Sequence, residues 1–531
     1  MFHRIALAGG VPQSKVFVRE ATGLVKSVGP LTIFFSNMGE VGFGTNLLFL
    51  NAADSYLPNG NPGGNVVFAV LLFTLFVAFE SFIYYRVVQD VGRTAGDYVW
   101  ISRTMGPVVG GLLVLGFTFT GIPFIAITLN WLVTLSLSPS IATIGAVTGS
   151  QSIVALASNL ASPTTIITLS VLVLAIITAV DVLSPKNGFR LLAAFVGVAL
   201  VGTAMMAAVL LGITPAALRS SVDSFLSAYN SSYTSISSQY HGPYVSLPAL
   251  ILLLPFISFS LPWINNAAAF SGEIKNLRRS AWMGTFMPAL ISGLLLAGFS
   301  GAYYRGLGFN FSMAAPGSWP STLNSIGATP NMLTIATIAM RGSPVYIWVM
   351  NLAFAFWYLA AVQQTILSIS RYVFGLSFDR VLPTRLADVS ERFHSPVISL
   401  LMAALGSIPF IVVVAYTNFA SVFSTTALGM LFFAFVGING VVYALRGRVQ
   451  MKGATIVSGV VTAAFFLVLT YMFLFMPYYG SYLPNGSPNW LSLGLIIFFI
   501  VMGALLYPIS KAYHARRGID VSLIFRELPP E

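Results

Sequence analysis

Two apolar stretches carry the residues best able to do chemistry. The first, PLTIFFSNMGEVGFGTNLLFL (30–50), sets Glu40 among Gly39, Gly42 and Gly44, with Phe43 and Thr45 beside them. A carboxyl in such a run can exchange a proton or hold a substrate amine. It can also cap backbone N–H groups where the helix opens. The second, LPALILLLPFISFSLPWINNAAAF (247–270), carries Pro248, Pro255 and Pro262, with Phe256, Ser258, Phe259, Ser260 and Trp263 around the breaks and Asn265 and Asn266 after them. Bond-breaking chemistry lacks its usual parts. There is no cysteine, and His3, His241, His394 and His514 all fall outside the apolar runs. That leaves no thiolate, no Ser-His dyad, and no metal or cofactor site to expect.

Glycines in the first stretch and prolines in the second are poorly suited to unbroken lipid-facing helices. Irregular backbone is tolerated in a bilayer only when it is buried in protein or lines a wet cavity. A half-helix starting near Thr45 offers N–H groups and a positive dipole end to a carboxylate. Carbonyls released from Phe256 to Leu261 offer acceptors to an ammonium, so the pair suits a zwitterion. The competing reading is that the glycines allow close packing and the prolines only kink. Two interrupted helices five spans apart fit inverted five-helix repeats with a binding site at their interface.

Other polar residues have a functional and a structural reading. Glu80, in LFVAFESFIYYR, needs a partner, water or a proton, and helix packing is favoured for it over coupling. Asp181 is expected at a solvated span end. Gln363, Gln364, Thr365 and Ser368 in a later apolar run fit either a sodium site or interhelical hydrogen bonds. Phe117 and Phe119 join Trp263 and Phe259 as candidate pocket walls. Arg278, Arg279, Arg371 and Arg380 are expected to anchor topology and to pair at an inner gate with Glu273 or Asp379, as individually weak surface pairs.

The elements that position these residues are membrane spans. The chain of 531 residues is 56% hydrophobic and 8% charged, with mean hydropathy +0.85, far from the roughly one-quarter charged residues of a soluble domain. Hydropathy predicts spans at 28–50, 65–88, 106–135, 164–183, 190–213, 246–270, 281–303, 345–374, 397–415, 419–445, 454–477 and 489–511. The net charge of +11 follows topology and not a nucleic-acid patch. Of 26 Lys and Arg, only Arg219, Arg305 and Arg341 fall on the side opposite the termini, so the termini are expected in the cytoplasm. The opposite loops, at 51–64 and 227–244, are expected to be exposed connections, with a glycosylation triplet at Asn230. The N-terminus has no cleaved signal pattern.

The fold class read from this is an all-α integral membrane protein of about twelve transmembrane helices, with inverted repeats and broken helices 1 and 6. Its parts are an N-terminal segment at 1–27, a first five-helix repeat at 28–213, an extracellular loop at 214–245, a second repeat at 246–445, helices 11 and 12 at 446–511, and a cytoplasmic tail at 512–531.

Three further stretches, GDYVWISRTMGP (96–107), FSGEIKNLRRS (270–280) and SRYVFGLSFDRVLP (370–383) followed by HSPVISL, resemble loop motifs of the amino acid permeases of the APC superfamily. The resemblance spans helices 1 to 10. It implies the broken-helix fold and uptake or exchange of amino acids or related amines by alternating access. The sequence departs from the family pattern at Phe43 in helix 1 and at Pro262 and Trp263 in helix 6, which leaves the substrate's size open. The helix 5 lysine of many proton-coupled relatives is absent.

The expected activity is therefore secondary transport of an amino acid or amine across the plasma membrane, coupled to a proton or sodium ion or run as exchange. Gly39, Gly42, Phe43, Gly44, Thr45, Phe256, Ser258, Phe259, Ser260 and Trp263 are the expected substrate site. Glu40 and Glu80 are the coupling candidates, and Glu273, Arg371 and Asp379 the gate candidates. The rivals are a nutrient sensor with the same fold, a channel, which wants a continuous pore from symmetric subunits, and a membrane enzyme, which lacks catalytic groups.

Overall fold

The computed structural model describes residues 23–50, 62–447, 450–477, 479–483 and 485–529. The segments 1–22 and 51–61, His3 among them, lie outside these, so the signal reading and most of the first outer loop find no counterpart here.

Several helices start where the sequence supplies both a side-chain cap and a proline. Ser162, Ser184 and Thr214 each accept a bond from the backbone N–H three residues on and are each followed by proline, opening α8, α9 and α10 as defined below. The cap satisfies one orphan N–H, and proline at the first helical position forgoes an N–H that had no partner anyway.

The first span is split into α1 (Pro30–Glu40) and α2 (Phe43–Phe49). Next come α3 (Val66–Asp90), α4 (Gly96–Thr104) and α5 (Pro107–Trp131). A π-helical turn at Leu132–Leu137 carries α5 on into α6 (Ser138–Thr148), and α7 (Gln151–Leu160) follows. The next elements are α8 (Pro163–Leu183), α9 (Pro185–Gly212), α10 (Pro215–Leu226) and α11 (Tyr233–Ser237). The second interrupted span is α12 (Leu247–Ile257) and α13 (Asn266–Ala269). It leads to α14 (Leu277–Leu307), then α15 (Phe309–Ser318), α16 (Ser321–Ser325) and α17 (Met332–Ala339). The chain continues as α18 (Pro344–Phe354), α19 (Phe356–Phe378), α20 (Val397–Tyr416) and α21 (Phe419–Val422). It closes with α22 (Thr426–Arg446), α23 (Lys452–Phe475) and α24 (Trp490–Ala515).

Ten helical stretches among the described residues are long and apolar enough to cross a membrane. The two interrupted spans join them, and the described residues hold no strand, only two isolated bridges. Large apolar side chains such as Leu294, Val345, Tyr471 and Ile497 are exposed around the outside, as lipid contact allows.

Several expectations are corrected. The stretch between the third and fourth predicted spans is helical, because α5 runs on through the π-helical turn into α6 and α7 folds back against α6. The segment 227–244 is exposed or half-buried apart from Ile236, and it carries the short helix α11, whose Ser232 and Ser235 form a reciprocal capping box. The spans predicted at 345–374 and 419–445 lie within the candidate spans Pro344–Phe378 and Phe419–Arg446, with a turn at Ala355 in the first and residues 423–425 outside the helices in the second. His514 falls in the last turn of α24. Asp181 is buried, not solvated, because Gln363 of α19 donates to it at 2.8 Å.

Candidate functional site

The two interruptions meet. In the first, Gly42 adopts the left-handed conformation at φ 59°, where a side chain would be strained, and opens α2. Its carbonyl accepts from the Thr45 hydroxyl at 2.7 Å and from the Asn46 backbone at 3.2 Å. In the second, residues 258–265 leave the helix, and the Ser260 hydroxyl donates to the Val41 carbonyl at 2.6 Å. Asn37 adds a bond to the Ile264 carbonyl at 3.2 Å and one to the Gly284 carbonyl.

The glycines divide by role. A Cβ on Gly44 would stand 2.0 Å from Trp357 Cδ1, so this glycine admits the indole of α19, which itself donates to Thr203 at 3.0 Å. Phe43 is fully buried and packs its ring 5.4 Å from Trp357 and 6.2 Å from Phe299. Gly39 faces Ala360, Leu192 and Val196. Three of the residues expected to bind substrate thus hold α1 and α2 against α9, α14 and α19.

Around the second break, Phe256 lies between a tilted Phe49 ring and an edge-on Tyr479 ring, and Phe259 is 42% exposed beside Phe473. The expected row of free carbonyls is largely taken up. The Ser258 carbonyl accepts from Trp263 Nε1 at 2.9 Å, and those of Phe256, Ile257 and Ser260 accept backbone N–H groups nearby, because the chain tightens into consecutive turns. The Ser258 hydroxyl turns back to the Pro255 carbonyl, the acceptor left open because the Phe259 N–H turns to Phe256.

Trp263 forms one wall of an aromatic cluster. Its ring stacks 5.7 Å from Phe117 and meets Phe433 edge-on at 5.4 Å, and Phe117 stacks on Phe432 at 4.9 Å. Gly429 on α22 makes the room, since a Cβ there would come within 2.9 Å of the indole. Phe119 is half-buried on the same helix as Phe117.

Below the breaks lies a polar chain that the sequence signalled only in pieces. Asn265 donates to the Tyr372 hydroxyl at 2.9 Å, and that hydroxyl donates to Asp97 at 2.8 Å. Asp97 sits on α4, outside the spans, and burial pushes its carboxyl up to about 7 against the opposing bonds from Tyr372 and the Tyr98 backbone. Glu40 is half-buried with Oε2 unpartnered, near enough to Asp97 for the two carboxyls to interact. Glu80 is fully buried on α3, and neither of its oxygens is hydrogen-bonded. A parallel chain runs from Ser36 through Gln364 (2.7 Å) and Ser368 (3.3 Å) to Asn266. Thr365 bonds back to its own helix, to the Ala361 carbonyl. The described residues hold no group of three or more His, Cys, Asp or Glu that could bind a metal.

The same end carries two ion pairs. Arg371 grips Glu273 in a two-point contact at 2.8 and 3.0 Å, with both side chains 1% exposed, and its guanidinium lies over the Phe270 ring at 5.3 Å. This is a buried pair and not the weak surface pair expected, because α19 and the turn after α13 enclose it. Asp379 is held by Arg103 of α4, one bond being 2.8 Å, an arginine outside the four expected to pair there. Backbone bonds from Ser27 and Val28 to the Glu273 carbonyl, and from Lys275 to the Val28 carbonyl, tie the entry to α1 to the same turn.

Sequence reasoning missed Asp97, Tyr372 and Arg103 as site neighbours. The signal was the GDYVWISRT stretch, expected in or beside a loop, which is instead a helix buried over Gly96–Ser102 against α13 and α19. Residues 28–505 match a family model described as Amino acid permease. No curated protein matches the chain.

Proposed function

The chain belongs to the amino acid permease family, and from that premise we propose that it carries a zwitterionic amino acid across the membrane by alternating access, with the substrate held where the two helix interruptions meet. Family membership makes it a multi-pass membrane protein and a transporter for amino acids. The observation that carries the site is the Ser260 to Val41 bond, which brings both irregular segments to one place inside the protein. In this reading Gly42 and Thr45 receive the carboxylate, Trp263 and the Phe117 ring set the side-chain space, and Glu40 faces the amine or exchanges a proton.

The ion pairs of Glu273 and Asp379 act as the inner gate, closed in this arrangement. Both termini and the basic end face the cytoplasm of the plasma membrane, as the grouping of Arg219, Arg305 and Arg341 at the other end supports. The five-helix repeats at 28–213 and 246–445 are the moving bodies. A proton is favoured over sodium, because Thr365, Gln364 and Ser368 are engaged in hydrogen bonds within and between helices.

Counterflow of labelled amino acids in proteoliposomes tests this. A carrier accumulates label against unlabelled substrate, whereas conductance without counterflow indicates a channel, and binding without either indicates a sensor. Glu40→Gln is expected to flatten the pH dependence of uptake, and an unchanged profile would remove Glu40 from coupling.

A further inference from the structure

We propose that an open groove between α3 and α14 binds the headgroup of an anionic phospholipid. It is a cavity of about 350 Å³ lined by Tyr85, Asn276, Arg278, Arg279 and Trp282, at the end of the molecule that carries most of the basic residues. The lining brings two cations and no carboxylate. Arg278 and Arg279 are both exposed in the first turn of α14, so their charge is available to a ligand.

The groove is graded with depth as a lipid is. Along α14, Arg278, Trp282, Phe286, Leu290 and Leu294 recur every four residues and so form one ridge inclined to the helix axis, each beside the next. That ridge passes from charge, through an amphipathic indole 46% exposed, to apolar side chains, with Leu294 60% exposed. At 1.5 Å per residue, Trp282 lies about 6 Å deeper than Arg278, a headgroup-to-glycerol distance. Tyr85 of α3 meets Trp282 edge-on at 6.5 Å and Phe286 at 5.9 Å, and Trp282 lies 4.6 Å from Phe286, so the floor is a packed aromatic seat. Basic pockets between spanning helices on the positive side of a membrane attract anionic headgroups, and aromatic rings prefer this depth. A free phosphate would use the guanidinium groups but gain nothing from the apolar descent, which is why a lipid is the occupant assigned. The site depends on the chain spanning a bilayer and not on which solute is carried.

The test is native mass spectrometry of the full-length detergent-purified protein titrated with phosphatidylglycerol or with phosphatidylcholine of the same acyl chains. The wild type is expected to retain phosphatidylglycerol preferentially. Arg278→Gln with Arg279→Gln is expected to weaken that binding roughly 30-fold, at the usual gain per basic residue. Equal binding of the two lipids, or phosphatidylglycerol binding unchanged in the double variant, overturns the proposal. So does displacement of the lipid by excess inorganic phosphate alone, which marks a free-anion site. Should the double variant fail to fold, Trp282→Ala decides. It leaves both guanidinium groups but removes the seat, so retention is expected to fall, and unchanged retention overturns the lipid assignment.

Discussion

The Ser260 hydroxyl and the Val41 carbonyl, 219 residues apart in sequence and 2.6 Å apart in space, join the two helix interruptions by a single hydrogen bond. Both groups are buried, and a carbonyl freed by a helix break has no water to turn to. Ser260→Ala is expected to cost about 1–3 kcal/mol of stability and to lower counterflow. Thermal unfolding in detergent and proteoliposome exchange check the two effects together.

The Glu273 and Arg371 pair is expected to behave as a buried pair. Removing either partner alone, as Glu273→Gln or Arg371→Met, is expected to destabilise by about 3–5 kcal/mol because the other charge is stranded. The double replacement is expected to cost less than the sum of the single ones. Denaturation midpoints of all four proteins supply the double-mutant cycle.

Trp263 fills the space that Gly429 leaves. Trp263→Ala is expected to shift selection toward amino acids with bulkier side chains by about tenfold or more, the scale on which apolar pockets discriminate. Gly429→Ala is expected to push the indole toward the proposed substrate site and select smaller ones, given the 2.9 Å approach. Competition among unlabelled amino acids for uptake of one labelled substrate reads both changes.

Asp97 predicts a pH effect with a definite sign. Its carboxyl is raised to about 7 when folded, from 3.8 when free, so between these values the folded state holds one more proton than the unfolded. Stability from this group therefore falls as pH climbs from about 4 to 7 and levels off above. The groups around it are Tyr98 on its own helix, Tyr372 from α19, Tyr84 from α3 and Glu40 from α1. Asp97→Asn is expected to flatten this slope, with a larger gain in melting temperature at pH 8 than at pH 5.

The C-terminal segment rests on the proposed inner gate. Arg93 donates to the Pro529 carbonyl at 2.6 Å and Arg103 to that of Glu527 at 3.3 Å, while the Arg103 guanidinium lies 5.0 Å over the Phe525 ring. Truncation before Val521 is expected to loosen Arg103 from Asp379 and to raise the exchange rate with little change in KM. Rates of counterflow against substrate concentration check it.

Apolar runs, basic-residue placement and the positions of Gly42 and Pro262 were enough to predict the spans and both interruptions, because lipid imposes length and helicity on any segment that crosses it. Only the tertiary structure decided which polar groups are used up. Gly39, Phe43 and Gly44 face neighbouring helices, most of the carbonyls after Pro255 are consumed by local turns, and Asp181 is buried beneath Gln363. Hydropathy is a one-dimensional quantity, and it cannot say which face of a helix meets protein. For the same reason Asp97 reads as a loop residue in sequence, yet α4 folds under the breaks and delivers it to Tyr372. The partners of Glu273 and Asp379 depended on which arginine the fold carried to them, a choice made by packing over distances of about one hundred to nearly three hundred residues.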